Sequence, residues 1–323
     1  MKAILFGTGW RAMFYVRIAA ALPGLLSIDA VYTRHQERLA LISAMGLCAA
    51  HDMDEALSHE HDIVIVASGK EGFLETVRLL RSRGENVLCE TSFLPFSDED
   101  NMSLLPMDGA VAEQYAYTPL FSSVIAALDL IGEADQLHLS GLHNHHAASI
   151  ARRILHLDDS LPDKIQSCDF GSSVTATGGR GGLTREGKEE QYVRKVRILD
   201  FGGKLFINDF SSNQYHSYLF GKRIEVRGRH GIITQDGVSL VNGTQWPCHI
   251  PFVFHRDSVT GNGSLTLSHV TLGDRTVFEN PFYPANLNDD EIAIALILKA
   301  MASGAACPSV RDGVLDARLG RLL

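Results

Sequence analysis

Six residues near the start of the chain restrict its fold more than any other segment. An apolar run, Lys2-Ala3-Ile4-Leu5-Phe6, enters Gly7-Thr8-Gly9-Trp10-Arg11-Ala12, and a helical stretch follows to Leu22 before Pro23-Gly24. A strand, a G-x-G-x-x-A turn and a helix, with a second strand at Ile28 to Tyr32, form a βαβ unit suited to a dinucleotide. Gly7 permits the tight turn, Gly9 lets backbone N–H groups approach a pyrophosphate, and Ala12 keeps the helix close to the strand. A glycine turn that merely packs is the alternative.

The next hundred residues repeat the same alternation. Helices are predicted over Arg34 to Met45, stopped by Gly46, and over Lys70 to Arg83, stopped by Gly84; Asp52-x-x-Glu55 and Ser97-x-x-Asp100 read as helix starts. Strands are predicted over Asp62 to Ala67, Asn86 to Glu90 and Ala110 to Tyr115. Strands alternating with helices pair in parallel through right-handed crossovers, so residues 1–117 are expected to be a doubly wound Rossmann domain.

From Pro119 the pattern changes. A helix is predicted to Ile131, a strand over Gln136 to Leu142 and a helix from about Ala147 to His156. Period-two segments joined by turn residues follow: Val193 to Phe201, Lys204 to Phe210, Arg223 to Arg227, Gly231 to Thr234 and Ser264 to Leu272. Residues 118–323 are therefore expected to be an α+β domain with a mostly antiparallel, open sheet. The stretch Gly178-Gly179-Arg180-Gly181-Gly182 reads as a mobile loop, with a substrate lid as the alternative, and terminal helices are expected from about residue 288, where Asn288 and Glu291 have capping-box spacing, and over Ser309 to Leu319.

Charge and cysteine usage exclude several classes. A formal charge of −9 over 323 residues argues against nucleic acid, whose phosphates need a cationic face. The five cysteines are odd in number, far apart and free of C-x-x-C pairs, which suits reduced thiols in the cytoplasm. No stretch approaches the ~20 apolar residues of a membrane span.

A glycine fingerprint at Gly7 to Ala12, Gly84-Glu85-Asn86-Val87-Leu88-Cys89-Glu90 at the fifth strand, Glu113-Gln114-Tyr115 before Pro119, Arg227-Gly228-x-x-Gly231, and Asp289-Asp290-Glu291-Ile292-Ala293 opening the last long helix occur in this order. Taken together they make the chain resemble the glucose-fructose oxidoreductase/inositol dehydrogenase (Gfo/Idh/MocA) family over nearly its whole length. The resemblance implies NAD(P)-dependent oxidation or reduction of sugars, inositols and related polyols, in cytoplasmic homodimers or homotetramers formed through the open sheet. Members usually carry Glu-Lys-Pro after the fifth strand, where the lysine hydrogen-bonds the reacting hydroxyl; here the residues are Glu90-Thr91-Ser92. Threonine carries no charge, so the usual acid/base residue is missing. The family also places an Asp four residues before a catalytic His and another three after it. Around His146 those positions are Leu142 and Ser149.

Proton transfer then falls to His143-Asn144-His145-His146, with His146 or His143 as the acid/base, since imidazole titrates near neutrality. A polar loop with a capping histidine is the alternative, and no metal site is expected because no nearby Cys or carboxylate completes a zinc set. The second strand ends in Thr33-Arg34-His35, with Arg38 one turn on, where an NAD site places an acidic residue. This points to NADP, with NAD as the alternative. The expected cofactor residues are Gly7, Thr8, Gly9, Trp10, Arg11, Ala12, Thr33, Arg34, Arg38, Ser68 and Glu90. The expected substrate residues are Thr91, Gln114, Tyr117 and Arg152. Lys70 is a weaker candidate for a displaced lysine, and Tyr115, Asn213, Gln214 and Tyr215 are further candidates for a polyol pocket. The function these residues support is hydride transfer to or from a sugar-like or polyol substrate; the alternative is a family member that binds nucleotide or sugar without turnover and acts as a sensor.

Overall fold

The computed structural model describes the chain apart from residues 92, 106–107, 180–181, 242, 244 and 259–264 and the side chains of Gln36, Tyr215 and His216. Ser92, the middle of the expected 178–182 loop, the start of the expected strand at Ser264 and the side chain of Tyr215 therefore lie outside the described residues. The chain divides into two compact units. One comprises Met1–Thr118, Arg256–Ser268 and Asn280–Val314; the other comprises Pro119–His255, His269–Glu279 and Leu315–Leu323.

The first unit is built on six strands: β1 (Lys2–Phe6), β2 (Ser27–Tyr32), β3 (Ala49–Ala50), β4 (Ile63–Val66), β5 (Val87–Cys89) and β6 (Ala110–Val111). All pair in parallel in the order β3-β2-β1-β4-β5-β6. The strands β1, β4 and β5 are apolar at nearly every position because helices cover both faces of such a sheet; Ile63, Val64, Ile65 and Val66 are fully buried. The connecting helices are α1 (Ala12–Ala21), α2 (Leu39–Ala44), α3 (Met53–Leu57), α4 (Phe73–Ser82) and α5 (Asp98–Met102). Asp52 and Ser97 cap α3 and α5 by accepting from the N–H groups of Glu55 and Asp100.

Three helices are shorter than the sequence suggests; the one expected to reach Ile131 ends at Ala126 and is followed by a 3₁₀ turn, Leu128–Leu130. The expected helix from Arg34 resolves into a 3₁₀ turn, Gln36–Arg38, followed by α2, and the one from Lys70 begins at Phe73 because Gly72 sits in the left-handed region at φ 69°.

The helices of the rest of the chain are α6 (Pro119–Ala126), α7 (Asn144–Leu155), α8 (Asp289–Ser303) and α9 (Val310–Gly320). Asn288 and Glu291 form the expected capping box on α8, a feature that stabilises a helix start by about 1 kcal/mol. Ile292, Ala293, Ile294, Ile297 and Leu298 of α8 are fully buried, and the helix packs against α1 and the 3₁₀ turn Tyr115–Tyr117. Arg17 of α1 is ion-paired with the buried Glu291.

The second unit is organised by β7 (Ala134–Ser140), β8 (Lys164–Thr175), the short β9 (Gly178–Gly179) and β10 (Gly182–Leu183), then β11 (Glu189–Asp200), β12 (Leu205–Phe210), β13 (Arg223–Gly228), β14 (Gly231–Thr234), β15 (Gly237–Val241), β16 (Pro247–Asp257), β17 (Thr266–Leu272) and β18 (Arg275–Glu279). Ten of these form one sheet in the order β18-β17-β16-β15-β14-β13-β7-β12-β11-β8. Among the described pairings of β7, β8 and β11–β16, and of β17 with β18, all are antiparallel except that of β12 with β7. Helix α7 packs on β7 and covers the face that carries Leu137 and Leu139, both buried. The register carries Phe170, Arg194, Asp209, Ser140, Arg223, Thr234, Gly237 and Pro251 onto the opposite face. That face is open: Phe170, Val241 and Val253 stand 60%, 55% and 44% exposed on it. The fold is thus a Rossmann α/β unit followed by an α+β unit with a mostly antiparallel open sheet.

Candidate functional site

The turn after β1 has the geometry of a nucleotide cradle. Gly7 has φ 123°, and a Cβ on it would stand 2.5 Å from the carbonyl oxygen of Ala67. Only glycine satisfies both constraints. At Gly9 the opposite holds, for a Cβ there meets nothing within 4 Å, so its backbone borders open space. No side chain caps the start of α1, which leaves that positive helix end to a ligand. Ala12 is fully buried beneath it.

A cleft of about 370 Å³ runs along this turn, lined by Gly7, Thr8, Gly9, Thr33, Arg34 and Ser68 among others. It lies at the carboxyl ends of β1 and β4, the switch point of the sheet, where doubly wound folds bind ligands. The hydroxyl of Ser68 is buried with no partner, a deficit that a bound ribose or phosphate would meet. A Cβ-free approach at Gly9 and an orphaned hydroxyl at Ser68 fit a dinucleotide.

At the end of β2, Thr33 is buried, with its oxygen 3.4 Å from that of Thr8 and accepting from the His35 N–H at 3.2 Å. The Arg34 guanidinium donates to the Glu71 carbonyl at 2.5 Å, and a Cβ on Gly72 would come within 2.8 Å of its Nη1. Arg38 is exposed and lines the same cleft, as does Glu37, which pairs with His35 at 3.2 Å. Lys70 is exposed.

Trp10, the fourth residue of the fingerprint, is 51% exposed and packs edge-on against Phe14. Arg11 and Glu90, expected to face the cofactor, are committed to each other. Arg11 donates from Nε to Glu90 Oε2 at 2.8 Å and from Nη2 to Gln114 Oε1 at 2.9 Å, while the Tyr15 hydroxyl donates to Glu90 Oε1 at 2.6 Å. Glu90, Gln114 and Tyr15 are buried. Burial works against the charge on Arg11, but Glu90 outweighs it and keeps the guanidinium ionised; burial and Glu90 together hold the Tyr15 phenol protonated, well above its ordinary range. This four-residue cluster fixes the end of β5 and hence Thr91, which is half-buried. Tyr117 closes the 3₁₀ turn and is also half-buried.

In the second unit, β7 ends at Ser140, the chain turns at Gly141 (φ 83°), and α7 starts at Asn144 with His143 as its N-cap residue, about three residues earlier than the helix start expected from the sequence. Its side chain does not cap the helix. The rings of His145 and His146 lie 3.9 Å apart, His143 stands 6.5 Å from His146, and His143 meets Phe210 edge-on at 5.1 Å. His146 is buried. Three imidazoles are therefore gathered at one helix start. Arg152, expected at a substrate, has another role: Nη1 pairs with the buried Asp316 at 2.6 Å and Nε donates to the Asp158 carbonyl at 2.7 Å, so it anchors α9. Asn213 donates to Glu190 at 2.8 Å and Gln214 to Ser140 at 2.7 Å.

No family model and no curated protein sequence matches the chain. Solved structures do. An oxidoreductase from Agrobacterium radiobacter in complex with NAD+, L-tartaric acid and magnesium is 16% identical, with 99% of this chain and 94% of that one covered and a TM-score of 0.66. A myo-inositol dehydrogenase from Corynebacterium glutamicum is 16% identical, with 99% and 94% covered and a TM-score of 0.60. An NAD-binding oxidoreductase from Klebsiella pneumoniae is 14% identical, with 100% and 95% covered and a TM-score of 0.63. The chain has the two-domain fold of the Gfo/Idh/MocA oxidoreductases over its full length.

Proposed function

We propose that the protein is an oxidoreductase that uses a nicotinamide dinucleotide, NADP in preference to NAD, to move a hydride to or from the hydroxyl-bearing carbon of a sugar-like or polyol substrate. The observation that carries this reading is the cleft at the β1 turn, with its open Gly9 backbone, uncapped helix start and unsatisfied Ser68 hydroxyl. The Agrobacterium oxidoreductase of the same fold was crystallised with NAD+, which supports the cofactor class. Preference for NADP rests on Thr33, Arg34 and Arg38. A carboxylate at the end of β2 would accept from a ribose 2′-hydroxyl and repel a 2′-phosphate, whereas a neutral threonine beside two guanidiniums favours the phosphate.

The cofactor, when bound, supplies the hydride acceptor or donor. Gly7, Thr8 and Gly9 would hold its phosphates through backbone N–H groups, Thr91 would offer a hydroxyl for the reacting oxygen, and the acid/base is assigned to His146 or His143. The Thr91 position favours one other reading, a nucleotide-dependent sensor without turnover, since a hydroxyl supplies no positive charge for a developing alkoxide. We also infer self-association through the second sheet, whose open face exposes Phe170, Val241 and Val253. Light scattering at micromolar concentration tests this, and a monomeric mass counts against it.

Fluorescence titration with NADPH and NADH tests the cofactor assignment. Tighter binding of NADPH is expected; equal affinities remove the NADP preference, and failure of both to bind removes the reading itself. Turnover across a panel of polyols, sugars and their keto forms then separates enzyme from sensor.

A further inference from the structure

Three imidazoles meet at the start of α7, and all three belong to the second unit. The backbone brings two of them to one side. His143, extended at φ −60° and ψ 147°, is the N-cap residue, and His146 lies three residues on, the spacing at which side chains become neighbours along a helix. Their ring centroids are 6.5 Å apart, and the His143 ring is held by Phe210 of β12, edge-on at 5.1 Å.

His145 joins them against the direction of the helix. Successive residues on a helix diverge by about 100°, so adjacent side chains do not face each other. Yet the rings of His145 and His146 stand 3.9 Å apart, each with a ring nitrogen within 4.8 Å of one on the other, and the His145 ring lies within 6° of parallel to that of His143 at 6.4 Å. The side-chain rotamers, and not the backbone, draw these rings together. His146 is buried and the other two are half-buried, so the group is sheltered but open to a small solute.

A neutral imidazole carries one nitrogen lone pair and is the commonest protein ligand of metal ions. Tetrahedral zinc, with Zn–N bonds of ~2.0–2.1 Å, needs its nitrogens roughly 3.3 Å apart, a spacing that rotations of about an ångström reach from this arrangement. The donor that completes the set is a third histidine, in place of the Cys or carboxylate that a search along the chain looks for. Imidazole nitrogens suit zinc and its neighbours among the transition metals, whereas magnesium and calcium take oxygen ligands.

We propose that His143, His145 and His146 form a binding site for a divalent transition-metal ion of the zinc class, held by three imidazole nitrogens with the fourth position left to water. The site itself does not depend on the function proposed above. It bears on that function in one way: a His146 nitrogen that holds zinc is not free to exchange a proton.

Calorimetric titration of zinc chloride into the metal-free full chain tests the site. One tight zinc per chain is expected. His143→Gln, His145→Gln and His146→Gln should each weaken it at least about tenfold, since losing even an outer partner of a ligating histidine costs ~10–100-fold. Two other places pair soft ligands: Cys48 Sγ lies 3.8 Å from His59 Nε2, and His255 stacks on His269 at 4.1 Å. Cys48→Ser and His255→Gln should leave the tight site unchanged, and magnesium should not compete for it. Cobalt(II) added to the unaltered chain gives a reading independent of how any variant folds, and the intense visible absorption of four-coordinate cobalt is expected. Absence of saturable heat from zinc overturns the proposal, as do the weak bands of six-coordinate cobalt. An affinity that any of the three histidine variants leaves unchanged, or that Cys48→Ser or His255→Gln abolishes, overturns it equally.

Discussion

The Nε of Arg11 lies 2.8 Å from Oε2 of Glu90, joining the nucleotide turn to the end of the fifth strand by an ion pair largely removed from water. Leaving one member of such a pair unmatched costs about 3–5 kcal/mol, whereas replacing both by neutral groups costs far less. Glu90→Ala should therefore lower the stability measured by urea denaturation by an amount of that order. The double variant Arg11→Met/Glu90→Gln should recover most of the loss, because glutamine keeps an acceptor for the Tyr15 hydroxyl.

Gly7 and Gly9 should respond in opposite ways. At Gly7 a side chain meets both the left-handed backbone and the Ala67 carbonyl, so Gly7→Ala should destabilise the protein. At Gly9 a side chain meets no atom of the protein, so Gly9→Val should fold normally and lose nucleotide binding, because the valine occupies the space a pyrophosphate needs. Thermal denaturation paired with NADPH titration distinguishes the two.

Removing the Arg34 guanidinium should weaken NADPH by about 1.5–3 kcal/mol, the range for hydrogen bonds to charged groups, and leave NADH nearly unchanged. Arg34 also donates to the Glu71 carbonyl, so Arg34→Lys, which keeps a charge but not the planar fork, should fall between wild type and alanine. Fluorescence titration measures all three.

If His146 is the acid/base, His146→Asn should reduce turnover by ~10²–10⁴ while NADPH affinity holds. His143→Asn is the comparison. Undiminished turnover in both variants would exclude the histidine cluster from proton transfer.

His61 should give the first unit a pH-dependent stability. Burial disfavours its charge, but the His59 carbonyl at 2.7 Å and Glu85 at 2.8 Å outweigh burial and raise its pKa. A raised folded-state pKa means that the contribution is complete below the ordinary histidine value of about 6.5 and is lost as pH climbs through the folded value. Stability in urea should fall across that interval, and Glu85→Gln should flatten the fall.

The parts of this fold that could be read along the chain are those dictated by neighbours in sequence. The apolar runs of β1 and β4, the caps at Asp52, Ser97 and Asn288 and the glycine turn at Gly7 all carry local signals. The second sheet was less legible. Strand β8 is an edge strand exposed along almost its whole length, so no alternation marks it, and β16 contains Pro247 and Pro251, residues that normally argue against a strand. Strands β15 and β18 are five residues each and were likewise not signalled. Around the cleft, residue types and spacing brought out Gly7, Gly9, Thr33, Arg34 and Ser68. The engagement of Arg11 with Glu90, and of Arg152 with Asp316, could not be read because each joins residues far apart in the chain. A charged residue next to a motif is assigned to the motif until tertiary structure supplies a closer partner.

Helix α8 gives the nucleotide-binding unit an order of completion. The strands of its sheet are made early, yet the surface formed by α1 and the Tyr115–Tyr117 turn stays uncovered until residues 289–303 have been synthesised and Arg17 has found Glu291. The half that begins first is thus completed only by a helix that starts at Asp289, far along the chain from the end of its last parallel strand at Val111. A chain interrupted anywhere between Thr118 and Asp289 would carry an intact glycine fingerprint on a body whose α1 surface lacks its cover.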